Sequence, residues 1–144
     1  MTRFDNPIMS TIIIIFMLLG SINFAYYYYC FKGKIYRMFE TEFFLYMISL
    51  LFGSLIVTWS LCSESIINTA GLTEKLPFLK SLHYSLFQVV SLQSSTGFAI
   101  ANFNNWPFFA QSILLTVMFI GGMAGSTAGG VKVIRHQIIF KMAY

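Results

Sequence analysis

Residues 94–98 read Ser-Ser-Thr-Gly-Phe, and the chemistry open to them is that of their backbone. None is a carboxylate, a thiol or an imidazole, so acid–base work and tight metal ligation are both out of reach. Small side chains and a glycine free to take unusual dihedrals let a chain present successive carbonyls to something small. A ring of such carbonyls replaces the hydration shell of a monovalent cation. Ser94, Ser95, Thr96 and Gly97 meet those requirements, and Phe98 closes the run. Alone, Ser-Ser-Thr-Gly is also ordinary turn composition. The residues before it decide the matter. Pro77 to Leu92 is apolar but carries Ser81, His83, Ser85, Gln88 and Ser91. Its sixteen residues as helix would cover about 24 Å, short of a ~30 Å hydrocarbon core. A re-entrant helix over 77–92 is expected, delivering a filter at 93–98. The partial negative charge at the helix C-terminus would then face the cavity. With no carboxylate in the segment, selectivity would rest on dipoles.

A second backbone-rich stretch is Gly121-Gly122-Met123-Ala124-Gly125-Ser126-Thr127-Ala128-Gly129-Gly130, which holds five of the ten glycines. In a helix these would cost about 1 kcal/mol each relative to alanine. Small residues four apart, Gly121/Gly125 and Gly125/Gly129, permit close helix packing, but that accounts for only part of the set. Five glycines, with Ser126 and Thr127 placed to bond freed backbone, predict a broken or unwound helix at membrane depth. A flexible segment below the filter could serve as a gate. It does not cradle phosphate: Gly125 and Gly130 have the spacing, but Val131 stands where that motif needs lysine.

Lys132 and Arg135 follow and are read as anchors at the cytoplasmic interface, with a partner contact as the alternative. His83 and His136 have no acid partner in view and are expected to be solvated or hydrogen-bonded. No nucleophile–base pair supports an enzyme.

These residues need a membrane scaffold, and the composition supplies one. The chain has 144 residues, 57% hydrophobic and 10% charged, with a mean hydropathy of +0.72. A soluble domain would carry roughly 25% charged residues. The formal charge of +4 reflects basic residues flanking spans rather than nucleic-acid binding. A first span is expected from about Ile8 to Tyr29, with Asn6 as cap, Pro7 as first helical residue and Tyr26 to Tyr29 at the interface. It lacks the basic start and small-residue cleavage site of a signal peptide. A hinge over 31–41 carries Lys32, Lys34 and Arg37. Thr41 caps a second span over 42–62, with Glu42 favourable at its positive end. A polar connector follows over 63–77, with Glu64, Gly71, Glu74 and Lys75, and a polar return over 102–105. Pro107 then opens a third span over 106–140. The basic residues at 32–37 and at Lys132, Arg135 and Lys141 place the 31–41 hinge and the C-terminal end in the cytoplasm. The N-terminus is then outside and the C-terminus cytoplasmic. Cys30 and Cys62 fall at opposite faces, which argues against a disulfide between them.

Phe4-Asp5-Asn6-Pro7 echoes Phe103-Asn104-Asn105-Trp106-Pro107, and Gly20 and Gly121 lie 13 and 14 residues after the prolines. Residues 1–30 therefore read as the closing helix of a preceding repeat and 42–144 as one complete helix–pore–helix repeat, implying tandem repeats. The expected class is an all-α integral membrane protein with a helix–re-entrant pore helix–filter–helix repeat after one extra transmembrane helix.

Phe87-Gln88-Val89-Val90-Ser91 followed by Ser95-Thr96-Gly97-Phe98 resembles the pore helix and filter of the Trk/Ktr/HKT potassium transporters. Trp106-Pro107, Phe119-Ile120-Gly121-Gly122, Gly125-Ser126-Thr127, Gly129-Gly130, Lys132 and Arg135 resemble their third-repeat closing helix. The resemblance implies a potassium-uptake subunit of the bacterial inner membrane with four repeats, usually dimeric. It also implies a cytoplasmic nucleotide-binding regulatory subunit, K⁺ as the transported ion held at Ser95, Thr96 and Gly97, and no covalently bound cofactor. Residues 94–98 would be filter, and Gly121, Gly122, Gly125, Ser126, Thr127, Gly129 and Gly130 the gating loop. Glycine at the position of Gly97 goes with potassium in such families, serine with sodium. A filter needs four walls, so this chain is expected to be a portion of a larger transporter. The alternative from another class is a non-transporting membrane scaffold or accessory protein, or a non-functional fragment, in which the glycines only pack helices and alanine at Gly122, Gly129 and Gly130 would stabilise.

Overall fold

The computed structural model describes residues 7–33, 40–63, 66–67, 73–74, 77–100 and 103–143. The expectations for Asn6, Lys34, Arg37, Glu64, Gly71, Lys75 and Asn102 lie outside these residues.

Apolar runs bounded by proline, polar and glycine residues give six helices among the described residues: α1 (Pro7–Ser21), α2 (Phe24–Phe31), α3 (Thr41–Ser63), α4 (Phe78–Gln93), α5 (Phe108–Ile120) and α6 (Val133–Ala143). A short 3₁₀ turn at Phe103–Asn105 precedes α5. Within the 63–77 connector two-residue strands β1 (Ile66–Ile67) and β2 (Thr73–Glu74) pair antiparallel, Ile66 opposite Glu74 and Ile67 opposite Thr73. This ladder is the one departure from an all-helical chain among the described residues, and composition gave no sign of it.

α3 is the central post. Tyr46, Leu50, Gly53, Val57 and Leu61 recur at three- and four-residue spacing along its buried face, against α4 and α5. Phe87, Val89 and Val90 of α4, Ala110, Leu114 and Val117 of α5, and Ile14 and Met17 of α1 complete the core. The crossing is tight at Gly53, where an added Cβ would lie 3.1 Å from Val117 and 3.6 Å from Val89.

α4 explains its own polarity. Ser81, Ser85, Gln88, Ser91 and Gln93 are all buried in protein, where polar groups need partners. Ser85 Oγ donates to the Ser81 carbonyl at 2.8 Å, and Gln93 Nε2 reaches Ser49 Oγ of α3 at 2.7 Å. A helix so lined is sheathed by other helices rather than by lipid, as a re-entrant element requires.

Two of the expected spans differ from a simple helix. Among the described residues α3 alone is a continuous helix long and apolar enough to cross a membrane. The first stretch bends by 92° between α1 and α2. At the bend Asn23 caps α2, its side chain accepting the Ala25 N–H at 2.9 Å; an unbroken span from 8 to 29 is therefore incorrect. The last stretch stops at Ile120 and resumes at Val133, the break expected from the glycines of 121–130. The thirteen residues of α5 rise only about 20 Å. The proline echo thus extends to the fold: α1 begins at Pro7 and ends at Ser21, α5 is capped by Pro107 and ends at Ile120, and after each break a second helix follows, α2 from Phe24 and α6 from Val133.

Candidate functional site

The segment after α4 is built by folding its amides back onto the helix end. Ser94 N–H donates to the Val90 carbonyl at 2.8 Å and Ser95 N–H to that of Leu92 at 3.0 Å. Thr96 and Gly97 both donate to the Ser91 carbonyl, at 3.0 and 3.3 Å. Carbonyls that a helix C-terminus leaves without partners are thereby satisfied. Ser91 Oγ in turn donates to the Phe98 carbonyl at 2.6 Å, and Ser94 Oγ lies 2.7 Å from Thr96 Oγ1. Among the described residues none donates to the carbonyls of Ser95, Thr96 or Gly97. Two residues take left-handed backbone, Ser95 at φ 59 and Gly97 at φ 74, which turns successive carbonyls in ways a regular strand or helix does not.

The glycine-rich loop at 121–130 lies across the bend of the first helix. Met123 and Thr127 N–H groups donate to the carbonyls of Ser21 and Gly20, both at 3.2 Å, and Phe24 N–H returns to the Gly125 carbonyl at 3.1 Å. Thr127 Oγ1 adds a bond to the Gly20 carbonyl at 2.9 Å. The last carbonyls of α1 thus find partners in the loop instead of a further helical turn. At its far end the loop reaches the 94–98 segment: Gly129 N–H donates to Ser95 Oγ at 3.0 Å. Packing leaves no room for side chains here. A Cβ on Gly122 would sit 2.4 Å from that of Ala128.

Two charged residues hold the loop from outside. The Glu42 Oε1 accepts the Ala124 N–H at 2.6 Å. Lys132 Nζ donates to the Ala128 carbonyl and lies 3.4 Å from that of Ser126. An ammonium has three donors and no acceptor, which suits a loop whose carbonyls have no helical partner. Lys132 is therefore turned into the loop, whereas Arg135 is exposed.

A cleft of about 320 Å³ joins these parts, lined by Ile13, Phe16, Met17 and Gly20 of α1, Ser94, Thr96 and Phe98, and Thr127 of the loop. Among the described residues no charged side chain lines it. Among the described residues no cluster of three or more His, Cys, Asp or Glu could hold a metal. His83 Nε2 is 2.7 Å from Ser10 Oγ of α1, a contact between helices far from the loop in sequence.

The 94–98 segment and the glycine-rich loop, both picked out in sequence, meet at one place. Glu42, Gly20 and Asn23 were missed as site residues. Gly20-Ser21-Ile22-Asn23 was a usable signal for the first-helix break, since small and capping residues interrupt an apolar run there. Glu42 offered no signal beyond its helix-terminal position.

Helices of this length around a short buried helix with an irregular return define an all-α integral membrane protein of the helix–pore–helix type. The profile of the TrkH family, described as cation transport protein, matches residues 1–144. The chain belongs to that family. It is 35% identical over 140 residues to the Trk system potassium uptake protein TrkH of Salmonella typhimurium, covering 96% of this chain and 27% of the relative. The Escherichia coli K12 protein of the same name is 33% identical over the same shares. The crystal structure of the potassium transporter TrkH from Vibrio parahaemolyticus superposes with a TM-score of 0.81 at 29% identity, over 97% of this chain and 29% of that one. The chain thus spans under a third of the length of these relatives.

Proposed function

We propose that the chain supplies one wall of a potassium-conducting pathway and the loop that gates it. Ser94 to Phe98 form the filter wall, with K⁺ held by the carbonyls of Ser95, Thr96 and Gly97. The observation that carries this reading is the Gly129–Ser95 hydrogen bond at 3.0 Å, which sets the glycine-rich loop directly against the carbonyl-bearing segment. A permeating ion exchanges water for backbone dipoles at 95–97, and the negative end of α4 adds to their field. The loop at Gly121, Gly122, Gly125, Ser126, Thr127, Gly129 and Gly130 closes the pathway beneath. The relatives' names as potassium uptake proteins and transporter support the choice of ion, and Gly97 fits it. No chemical transformation and no resident cofactor are needed.

The other three walls come from the remaining repeats of the transporter. The assembly is a homodimer in the bacterial inner membrane under a cytoplasmic nucleotide-binding subunit, for which Arg135 offers an exposed cationic contact. The N-terminus of this chain is outside and its C-terminus cytoplasmic. The test is potassium and sodium flux through the four-repeat transporter carrying Gly97→Ser. Its K⁺/Na⁺ preference should fall; an unchanged ratio refutes the filter assignment. The scaffold reading fares worse on geometry. It needs alanine at Gly122 to stabilise, and the Cβ would stand 2.4 Å from that of Ala128.

A further inference from the structure

Glu42 stands in the first turn of α3, where the helix dipole favours a carboxylate whether it faces water or protein. It faces protein, at 6% exposure. A charge is costly to bury unless hydrogen bonds replace its water, and the bond seen here crosses 82 residues of chain to the Ala124 N–H. Across the loop the ammonium of Lys132 bonds the Ala128 carbonyl. The polarity matches: the loop turns a donor toward the anion and an acceptor toward the cation. Its ties to Gly20, Ser21, Phe24 and Ser95 are neutral hydrogen bonds, the weaker kind.

We propose that Glu42 is the positioning residue of the gate: its carboxylate latches the Ala124 amide, keeps residues 121–130 beneath the filter, and releases them when the pathway opens. This rests on the reading of 121–130 as a gate. The carboxylate touches no permeating ion. It acts through the loop.

The test uses the four-repeat transporter with Glu42→Ala and Glu42→Gln and two measurements. Hydrogen exchange over 121–130 reads the latch. Glu42→Ala should speed exchange of the Ala124 amide about tenfold, as loss of one charge-assisted bond implies. Glu42→Gln keeps an acceptor oxygen in place and should recover most of the protection. Potassium flux into proteoliposomes reads the gate: Glu42→Ala should raise it severalfold with K⁺/Na⁺ preference unchanged. If the alanine variant does not fold, Glu42→Asp, one methylene shorter, withdraws the acceptor and gives the same comparison with Glu42→Gln. Exchange indifferent to these changes overturns the proposal, as does flux that stays level or falls while exchange quickens. If the wild type carries no potassium yet exchange responds, the transport reading fails and the latch on the loop stands.

Discussion

The carbonyl of Gly125 accepts the N–H of Phe24 at 3.1 Å, tying the loop that interrupts the last helix to the bend that interrupts the first. Each break supplies what the other lacks. Backbone groups freed by ending a helix must find partners in a water-poor setting. Here the carbonyls of Gly20 and Ser21 accept loop N–H groups, and the first N–H of α2 donates to a loop carbonyl. Neither break would be stable alone.

Asn23 sits at that junction, and replacing it tests the mutual support. Asn23→Ala removes the cap on the Ala25 N–H, a loss of about 1 kcal/mol. Thermal unfolding in detergent should show the loss, with Asn23→Asp, which keeps an accepting oxygen, close to wild type.

Gly122→Ala should destabilise by about 1–3 kcal/mol, the usual cost of overpacking, since its Cβ meets that of Ala128 at 2.4 Å. Adding Ala128→Gly should recover most of the deficit. A double-mutant cycle on melting temperatures measures the coupling, and additive effects would show that the two positions do not collide.

Ser95 holds left-handed backbone at φ 59, at roughly 1–2 kcal/mol for a residue with a side chain, and its hydroxyl accepts the Gly129 N–H. Ser95→Ala keeps the strain and loses the bond; Ser95→Gly loses both. The alanine variant should therefore melt below the glycine variant, and hydrogen exchange at Gly129 should quicken in both.

At Gly97 the backbone is also left-handed, φ 74, but an added Cβ meets nothing within 4 Å. Gly97→Ala should therefore cost only the conformational term, roughly 1–2 kcal/mol. Competitive flux of K⁺ and Na⁺ should show reduced preference in a protein that still folds.

Local features were legible in the sequence. Pro107, the too-short polar helix before Ser94, and five glycines in ten residues each carry their meaning within one or two turns of chain. The bend at Ile22–Asn23 is marked only by Gly20, Ser21 and Asn23, a weaker interruption than five glycines in ten residues. The bonds that assemble the site lie beyond any local pattern: Gly129 to Ser95 spans 34 residues and Ala124 to Glu42 spans 82. Glutamate after a threonine reads as a helix start, and only the folded chain shows which way the carboxylate turns.

The serines and glutamines along α4 also make that helix dependent on its neighbours. Ser81, Ser85, Gln88, Ser91 and Gln93 are concealed only because α3, α5 and α1 surround them. A newly made α4 entering bare lipid would hold those groups unsolvated, and insertion penalises polar residues at membrane depth. α4 therefore fits only a slot that α3, α5 and α1 line together, and loss of any one of them would bare its polar side chains.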